Sequence, residues 1–559
     1  MSHKEVMVAK TSELANGEMK QVSANGTEIL LACVNGDFHA VGPHCPHYGA
    51  SLVEGVLNGD RIICPWHHAC FDVTTGDLKE PPAVDALTHY EVKIEDDQVM
   101  VRLPDETSDR RTPQMTKRET KDERVFVIAG GGAAGYMAAQ TLREDGFTGR
   151  VVLITRENHF PYDRPNLSKE YLQGNAEPEW LPLRSEDFFA EYDIEVIRGR
   201  EIKHIDAAQK TIRFADGESF VCDALLLATG GEPRKLPFQT ETKENVFLLR
   251  SYADADTIIA TAEEGRRAVV IGASFIGMEV ASSLRARGCE VIVVAPDDVP
   301  FKRILGTEIG RLFQKVHKEN GVWFKLGSSV SGFTGGEKIT AVVLEGGDRL
   351  EADLVVVGVG VKPATEFIEG VTFHQDGGVI VDEHLRAADG VYAAGDIAYF
   401  PNPLTGERQR IEHWRTAMQQ GRVAAHNMAG KETSYDSVPF FWTRQFDVGL
   451  LYVGHAPHWD EIIYQGAVSE RNFLAFYVKE NRVLAVAGMN RDSEMAAIEE
   501  LMRLNQMPAS DQLKGRTTSF LELLKGAGTV ETGRVKVKSA RAAFTESVLI
   551  SLRKSRRAV

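Results

Sequence analysis

Val125-Phe-Val-Ile-Ala-Gly130-Gly-Gly-Ala-Ala-Gly135 decides the fold of this chain. Its first five residues form a continuous apolar run, as in a parallel strand buried on both faces, and the glycines behind it open a helix. Val151-Val-Leu-Ile-Thr155 reads as the next strand, and Glu157 stands at its end, 22 residues after Gly135. In that setting Gly130, Gly132 and Gly135 let the backbone approach a pyrophosphate at the positive end of the helix, and Glu157 accepts hydrogen bonds from a ribose. The unit recurs as Ala268-Val-Val-Ile-Gly272, a helix reaching Arg287, and Glu290-Val-Ile-Val-Val294. The copy is less regular: Gly272-Ala-Ser274-Phe-Ile-Gly277 carries serine at the middle glycine, and Val294 leads into Ala295-Pro296-Asp297. Either Asp297 takes the ribose there or no carboxylate does. No arginine stands right at that strand end to meet a 2′-phosphate, although Lys302 and Arg303 follow, so NADH is favoured over NADPH. Two such units imply two dinucleotides, or one cofactor and one substrate.

Upstream, residues 5–103 read as a small all-β domain of short alternating runs, such as Glu28–Val34 and Thr88–Ile94, split by Asn-Gly and Gly-Asp turns. Between the runs lie Cys45-Pro46-His47 and Cys64-Pro65-Trp66-His67, sixteen residues apart. Each loop offers one thiolate and one imidazole, whereas a zinc finger usually groups its cysteines in one loop and its histidines in another. Cys45 and Cys64 on one iron with His47 and His67 on the other is the ligand set of a Rieske [2Fe–2S] centre; a structural zinc site is the alternative. The additional cysteine and serine of high-potential Rieske loops are missing after His47 and His67, which predicts a potential near the low end, about −150 mV. His68 is expected to face solvent and His44 to be a loop residue. Cys33, Cys70, Cys222 and Cys289 read as buried fillers.

With 559 residues and 43% hydrophobic content the chain is multidomain. A net charge of −16 argues against nucleic acid as the main partner. No apolar run is long enough for a membrane span, the start lacks a signal peptide, and the six cysteines show no disulfide framework, which together predict a cytoplasmic protein. Residues 506–559 carry eleven Lys/Arg against four Asp/Glu, leaving −23 on residues 1–505, and read as a basic, solvated tail. Residues 104–123 are polar without apolar period and read as a linker, long enough for the first domain to move between an internal donor and a partner.

Phe160-Pro-Tyr-Asp-Arg164-Pro-Asn-Leu-Ser-Lys169 resembles the P-Y-x-R-P-P-L-S-K segment of oxygenase-coupled ferredoxin reductases and apoptosis-inducing-factor-like flavoproteins, which share the FAD-dependent pyridine nucleotide-disulfide oxidoreductase fold. The resemblance extends in order through Ala228-Thr229-Gly230, Gly358-Val-Gly360-Val-Lys-Pro363, Val391-Tyr-Ala-Ala-Gly-Asp396, Glu412-His413-Trp414 and Pro439-Phe-Phe-Trp442. With a Rieske domain in front, the chain is most similar to the Rieske-containing members. The resemblance implies an FAD domain over 124–252 and 380–435, an inserted NAD(P)H domain over 253–379, and a small α+β domain over 436–505 that closes over the flavin. It further implies Asp396 at the ribityl–pyrophosphate region, Lys169 beside the isoalloxazine paired with Glu279, and Trp414 or its neighbours at the nicotinamide. Asn166 for the second proline, Ser274 for glycine and Ala295 for an acid depart from the pattern. A lysine there would favour the negative charge that a hydride brings. A disulfide reductase needs a C-x-x-C beside the flavin, and the sequence has none.

These readings predict electron flow from NAD(P)H through FAD to the chain's own cluster and on to an acceptor protein, such as a ferredoxin or an oxygenase component. The alternative is a redox-sensing protein of slow turnover with ligand-dependent homodimerisation. An electron-transfer subunit of a ring-hydroxylating or nitrite-reducing system is a third possibility, with the terminal chemistry in trans.

Overall fold

The computed structural model describes residues 4–105, 107–238, 243–515 and 518–527. The N-terminal domain is all-β. Lys4–Lys10, Gln98–Leu103, His89–Glu95, Asp37–Val41, Thr27–Val34 and Met19–Ala24 neighbour in that order in one sheet. Asn25-Gly26 and Asn35-Gly36 turn the tight hairpins with positive φ at all four residues. A second sheet joins Val56–Asn58, Arg61–Ile63, Cys70–Asp72 and Leu78–Glu80. The two ligand loops are closed alike: Cys45 N–H donates to Ala50 O at 2.9 Å, and Cys64 N–H donates to Ala69 O at 2.9 Å.

The first dinucleotide unit is a sheet ordered Ile194–Ile197, Arg150–Ile154, Val125–Ala129, Ala224–Leu227 and Val391–Ala393, parallel throughout, with Arg386–Ala388 antiparallel at the edge. The strand at Val391–Ala393 returns from beyond the second unit to complete this sheet. Helix α1 (Ala133–Glu144) follows the glycine turn. The second unit is a five-stranded parallel sheet, Val246–Leu248, Leu354–Val357, Arg267–Ile271, Glu290–Ala295 and Trp323–Leu326, with helix α2 (Phe275–Ala286) behind its own glycine turn. Helix α3 (Trp414–Met428) lies against α1 so closely that a Cβ at Gly421 would sit 2.1 Å from Ala134 O. Residues Phe440–Met489 make a five-stranded antiparallel sheet, backed by α4 (Asp492–Arg503) and α5 (Phe520–Ala527).

The segment read as a free linker is strapped down. Arg110–Arg111 pair with Ala86–Leu87, Thr116 N–H donates to Arg143 O at 3.0 Å, and Glu119 N–H donates to Thr148 O at 2.8 Å. These bonds satisfy backbone groups that a polar composition alone leaves unassigned. The tail reading also changes at its start: Phe520 and Leu524 are 0% and 3% exposed and join the core under α4, because α5 presents an apolar stripe to it. The rest of that reading, residues 528–559, lies outside the described residues. Among the described residues no helix is long and apolar enough to cross a membrane.

Candidate functional site

A cleft of about 1100 Å³ runs between the two parallel sheets and under the C-terminal sheet. Gly130, Gly132, Glu157, Arg164 and Lys169 line it, as do Ala228, Thr229, Gly230, Asp396, Glu412, His413 and Trp414. Gly272, Ser274, Gly360 and Glu279 line its other side. Gly135 and Gly277 lie behind the wall, and the glycine geometry explains the difference. A Cβ at Gly135 would meet Gly130 O at 1.9 Å and one at Gly277 would meet Gly272 O at 2.1 Å, so these positions bring helix and strand together. A Cβ at Gly132 would meet nothing within 4 Å, which leaves room for a pyrophosphate at the N-terminus of α1. Ser274 takes the equivalent place at α2 and is exposed to the cleft, with no cap bond from its hydroxyl.

Glu157 is held by Tyr162 Oη at 2.7 Å and Arg164 at 2.8 Å. Asp396 accepts from Arg250 at 2.7 Å. On the second unit Asp297 is engaged by Arg303 at 3.0 Å, and Asp298 by Lys302 at 2.8 Å.

Lys169 and Glu279, 110 residues apart, meet at 2.8 Å with 8% and 3% exposure. Ser168 Oγ donates to the same carboxylate oxygen at 2.6 Å and Thr443 Oγ1 to the other at 2.7 Å, so the buried anion is satisfied on both sides. Three elements converge here: the Arg164–Ser168 turn with Lys169 at its end, α2 and the strand Phe440–Gln445. Burial pushes His413 down to about 3, and its Nδ1 has no hydrogen-bond partner; His455, also on the cleft, is lowered by burial too. Both imidazoles are therefore neutral near pH 7.

In the N-terminal domain Cys45 and Cys64 are 2% and 1% exposed, with their thiols facing each other. His47 Nδ1 and His67 Nδ1 stand 3.1 Å apart. The N–H groups of His47 and Tyr48 point at the Cys45 sulfur, and those of Trp66 and His67 at the Cys64 sulfur. Among the described residues no three His, Cys, Asp or Glu side chains converge as a single ion requires. A sulfur pair beside a nitrogen pair fits a two-iron cluster with one pair on each iron, and not a lone zinc.

The ligand loops pack on the flavoprotein. The Trp442 indole lies 4.5 Å from the His67 ring and 6.2 Å from the His47 ring, centroid to centroid, and also lines the cleft. His68, expected at the surface, is 0% exposed: its positive φ of 57° turns it inward onto Phe440 and the carboxylate of Glu499. Arg415, 1% exposed on α3, donates to Glu499 at 2.7 Å, Glu80 at 3.1 Å and Pro81 O at 2.8 Å, and Arg61 also pairs with Glu80. Sequence reading singled out neither Trp442 nor His455 nor this ion network as site residues. The apolar Pro439-Phe-Phe-Trp442 run was the only signal for Trp442, and nothing local marks Glu80, Arg415 and Glu499 as neighbours.

Residues 124–421 match the model of the pyridine nucleotide-disulphide oxidoreductases. The chain belongs to that family. Residues 4–91 match the Rieske [2Fe-2S] domain and residues 440–524 the reductase C-terminal domain. Apoptosis-inducing factor 3 of Homo sapiens is 40% identical over 510 residues, covering 89% of this chain and 84% of its own. Putidaredoxin reductase of Pseudomonas putida is 33% identical, covering 72% of this chain and 97% of its own. A putidaredoxin reductase solved in covalent complex with putidaredoxin superimposes with a TM-score of 0.69 at 32% identity, over 73% of this chain and all of that one. This member of the pyridine nucleotide-disulphide oxidoreductases is thus an FAD-dependent oxidoreductase that binds FAD and NAD(P) in its reductase domain and a [2Fe–2S] cluster in its Rieske domain.

Proposed function

We propose that this oxidoreductase takes electrons from NADH through FAD to its own Rieske cluster and hands them to an external one-electron acceptor, a ferredoxin or an oxygenase component. The observation that carries the reading is Trp442, whose indole touches the cluster histidines on one side and the cofactor cleft on the other. When bound, FAD would supply the conversion of a two-electron hydride into single electrons, and a cluster held by Cys45, His47, Cys64 and His67 would supply a one-electron carrier.

The chain's own residues supply placement and charge. The Lys169 ammonium puts a fixed positive charge on the cleft wall where negative charge develops, and Glu279 aims it. Neutral His413, against Phe441 at 4.7 Å between centroids, keeps the nicotinamide side apolar and dry. Gly132 and Ser274 admit the two pyrophosphates to the starts of α1 and α2. NADH is favoured over NADPH because the cations after the second unit's strand end, Lys302 and Arg303, are both engaged by carboxylates. All six cysteines stand unpaired, which supports a reducing, cytoplasmic setting.

A redox sensor of slow turnover, dimerising with bound nucleotide, is the second reading, favoured by the apoptosis-inducing factor 3 likeness. Turnover with a one-electron acceptor and sedimentation with and without NADH separate the two.

Anaerobic stopped-flow reduction tests the route. Cluster bleaching must follow flavin reduction by NADH and vanish in Cys64→Ser, while flavin reduction persists. Cluster reduction that precedes flavin reduction overturns it.

A further inference from the structure

Tyr48 directly follows the cluster ligand His47, and its ring packs on both cluster histidines, 4.2 Å from His47 and 5.5 Å from His67 between centroids. The residue is 46% exposed, so burial alone gives no reason for tyrosine over phenylalanine. Its hydroxyl supplies the reason. Tyr48 Oη donates to Asp163 Oδ2 at 2.6 Å and accepts from Asn166 Nδ2 at 2.7 Å, and Asn166 Nδ2 also donates to Asp163 Oδ2 at 3.1 Å. Asp163 and Asn166 are 9% and 8% exposed and belong to the segment that carries Arg164 and Lys169 into the flavin cleft.

We infer that Tyr48, Asp163 and Asn166 form a latch between the Rieske and flavin domains, with Tyr48 and Asn166 as positioning residues that hold the cluster loop in register with the flavin. The inference rests on the proposed internal electron route for its purpose, but the latch itself is a matter of geometry. Asn166 occupies a place where a proline could make neither of these bonds, since a proline side chain has no donor whereas the two hydrogens of the amide nitrogen serve the hydroxyl and the carboxylate together. Asp163 depends on the latch in turn. Its Oδ1 is buried without a hydrogen-bond partner, and burial raises its pKa to about 6, opposed by the Tyr48 bond and by Lys169. Losing Tyr48 Oη therefore removes one of the side-chain donors to a desolvated carboxylate that also acts electrostatically on Lys169.

The test uses the holoprotein with both cofactors, as Tyr48→Phe, Asn166→Ala and the double variant. Hydrogen–deuterium exchange over residues 43–50 and 160–169 should quicken in both segments for either single variant. Cluster reduction after flavin reduction should slow about tenfold, the scale of a lost hydrogen bond to a charged group. The electron paramagnetic resonance g-values of the chemically reduced cluster should stay as in wild type. The double variant should be no slower than the slower single one, because both break the same unit. Unchanged exchange overturns the latch, and quicker exchange with unchanged cluster reduction overturns its positioning role. If NADH never reduces the wild-type cluster, the electron route falls, and exchange still decides whether the latch exists.

Discussion

Glu279 accepts from Lys169, Ser168 and Thr443 and so keeps an ammonium fixed inside a protein wall. Lys169→Met should slow flavin reduction by NADH by about tenfold to a hundredfold and lower the flavin potential, because the charge that stabilises the reduced form is gone; stopped-flow and redox titration read both. Two other carboxylates predict opposite pH behaviour. Burial pushes Glu80 up, but Arg415 and Arg61 outweigh it, and its pKa falls from 4.5 to about 2. The folded protein therefore binds fewer protons than the unfolded one, so the stabilisation is present above pH 4.5 and lost as pH falls toward 2. It amounts to about 3 kcal/mol, and Glu80→Gln should flatten the acid limb of a denaturant-stability profile over that window. Asp163 is raised from 3.8 to about 6 by burial, so here the folded state holds the extra proton and stability declines as pH rises through that interval. Asp163→Asn should remove that decline.

At the scale of the element, the two glycine turns make separate predictions from the same motif. Gly132→Val leaves the backbone unclashed, since its Cβ meets open space, but fills the place of the FAD pyrophosphate; the protein should fold and retain FAD at least about tenfold more weakly. Gly135→Ala should instead lower folding yield, with its Cβ 1.9 Å from Gly130 O. The strand Val125–Ala129, α1 and α2 were legible because buried parallel strands are unbroken apolar runs and glycines punctuate them. The meeting of Lys169 with Glu279 was legible only through family resemblance, since nothing within either segment specifies a partner 110 residues away. His68 was misread because an imidazole beside a ligand loop looks polar, and only the tertiary fold brings Glu499, 431 residues on, to receive it. Helix α5 was missed because its apolar residues sit within a basic stretch. Phe520→Ala should cost about 3–5 kcal/mol in chemical denaturation, as for a fully buried aromatic ring.

Across the whole molecule, the Rieske domain is held by buried charge as well as by the Tyr48 latch. Arg415 comes from the flavoprotein, Glu80 from the Rieske domain and Glu499 from the C-terminal domain, so one guanidinium joins three units. Its removal takes the shared cation from two buried carboxylates, leaving Glu80 to Arg61 and Gln419 and Glu499 to His68, and Arg415→Ala should cost up to about 3–5 kcal/mol and expose the Rieske domain to limited proteolysis. A domain docked in this way need not diffuse to receive an electron, whereas one swinging on a 20-residue linker must. The two cases separate under viscosity. Raising viscosity about fivefold with glycerol should leave wild-type cluster reduction within roughly twofold, because no domain-scale motion on the microsecond-to-millisecond scale gates it. In Arg415→Ala the same change should slow cluster reduction nearly in proportion, since freeing the domain makes its return the limiting step. A wild-type rate that falls in proportion to viscosity would mean that the docked arrangement is not the one through which electrons pass.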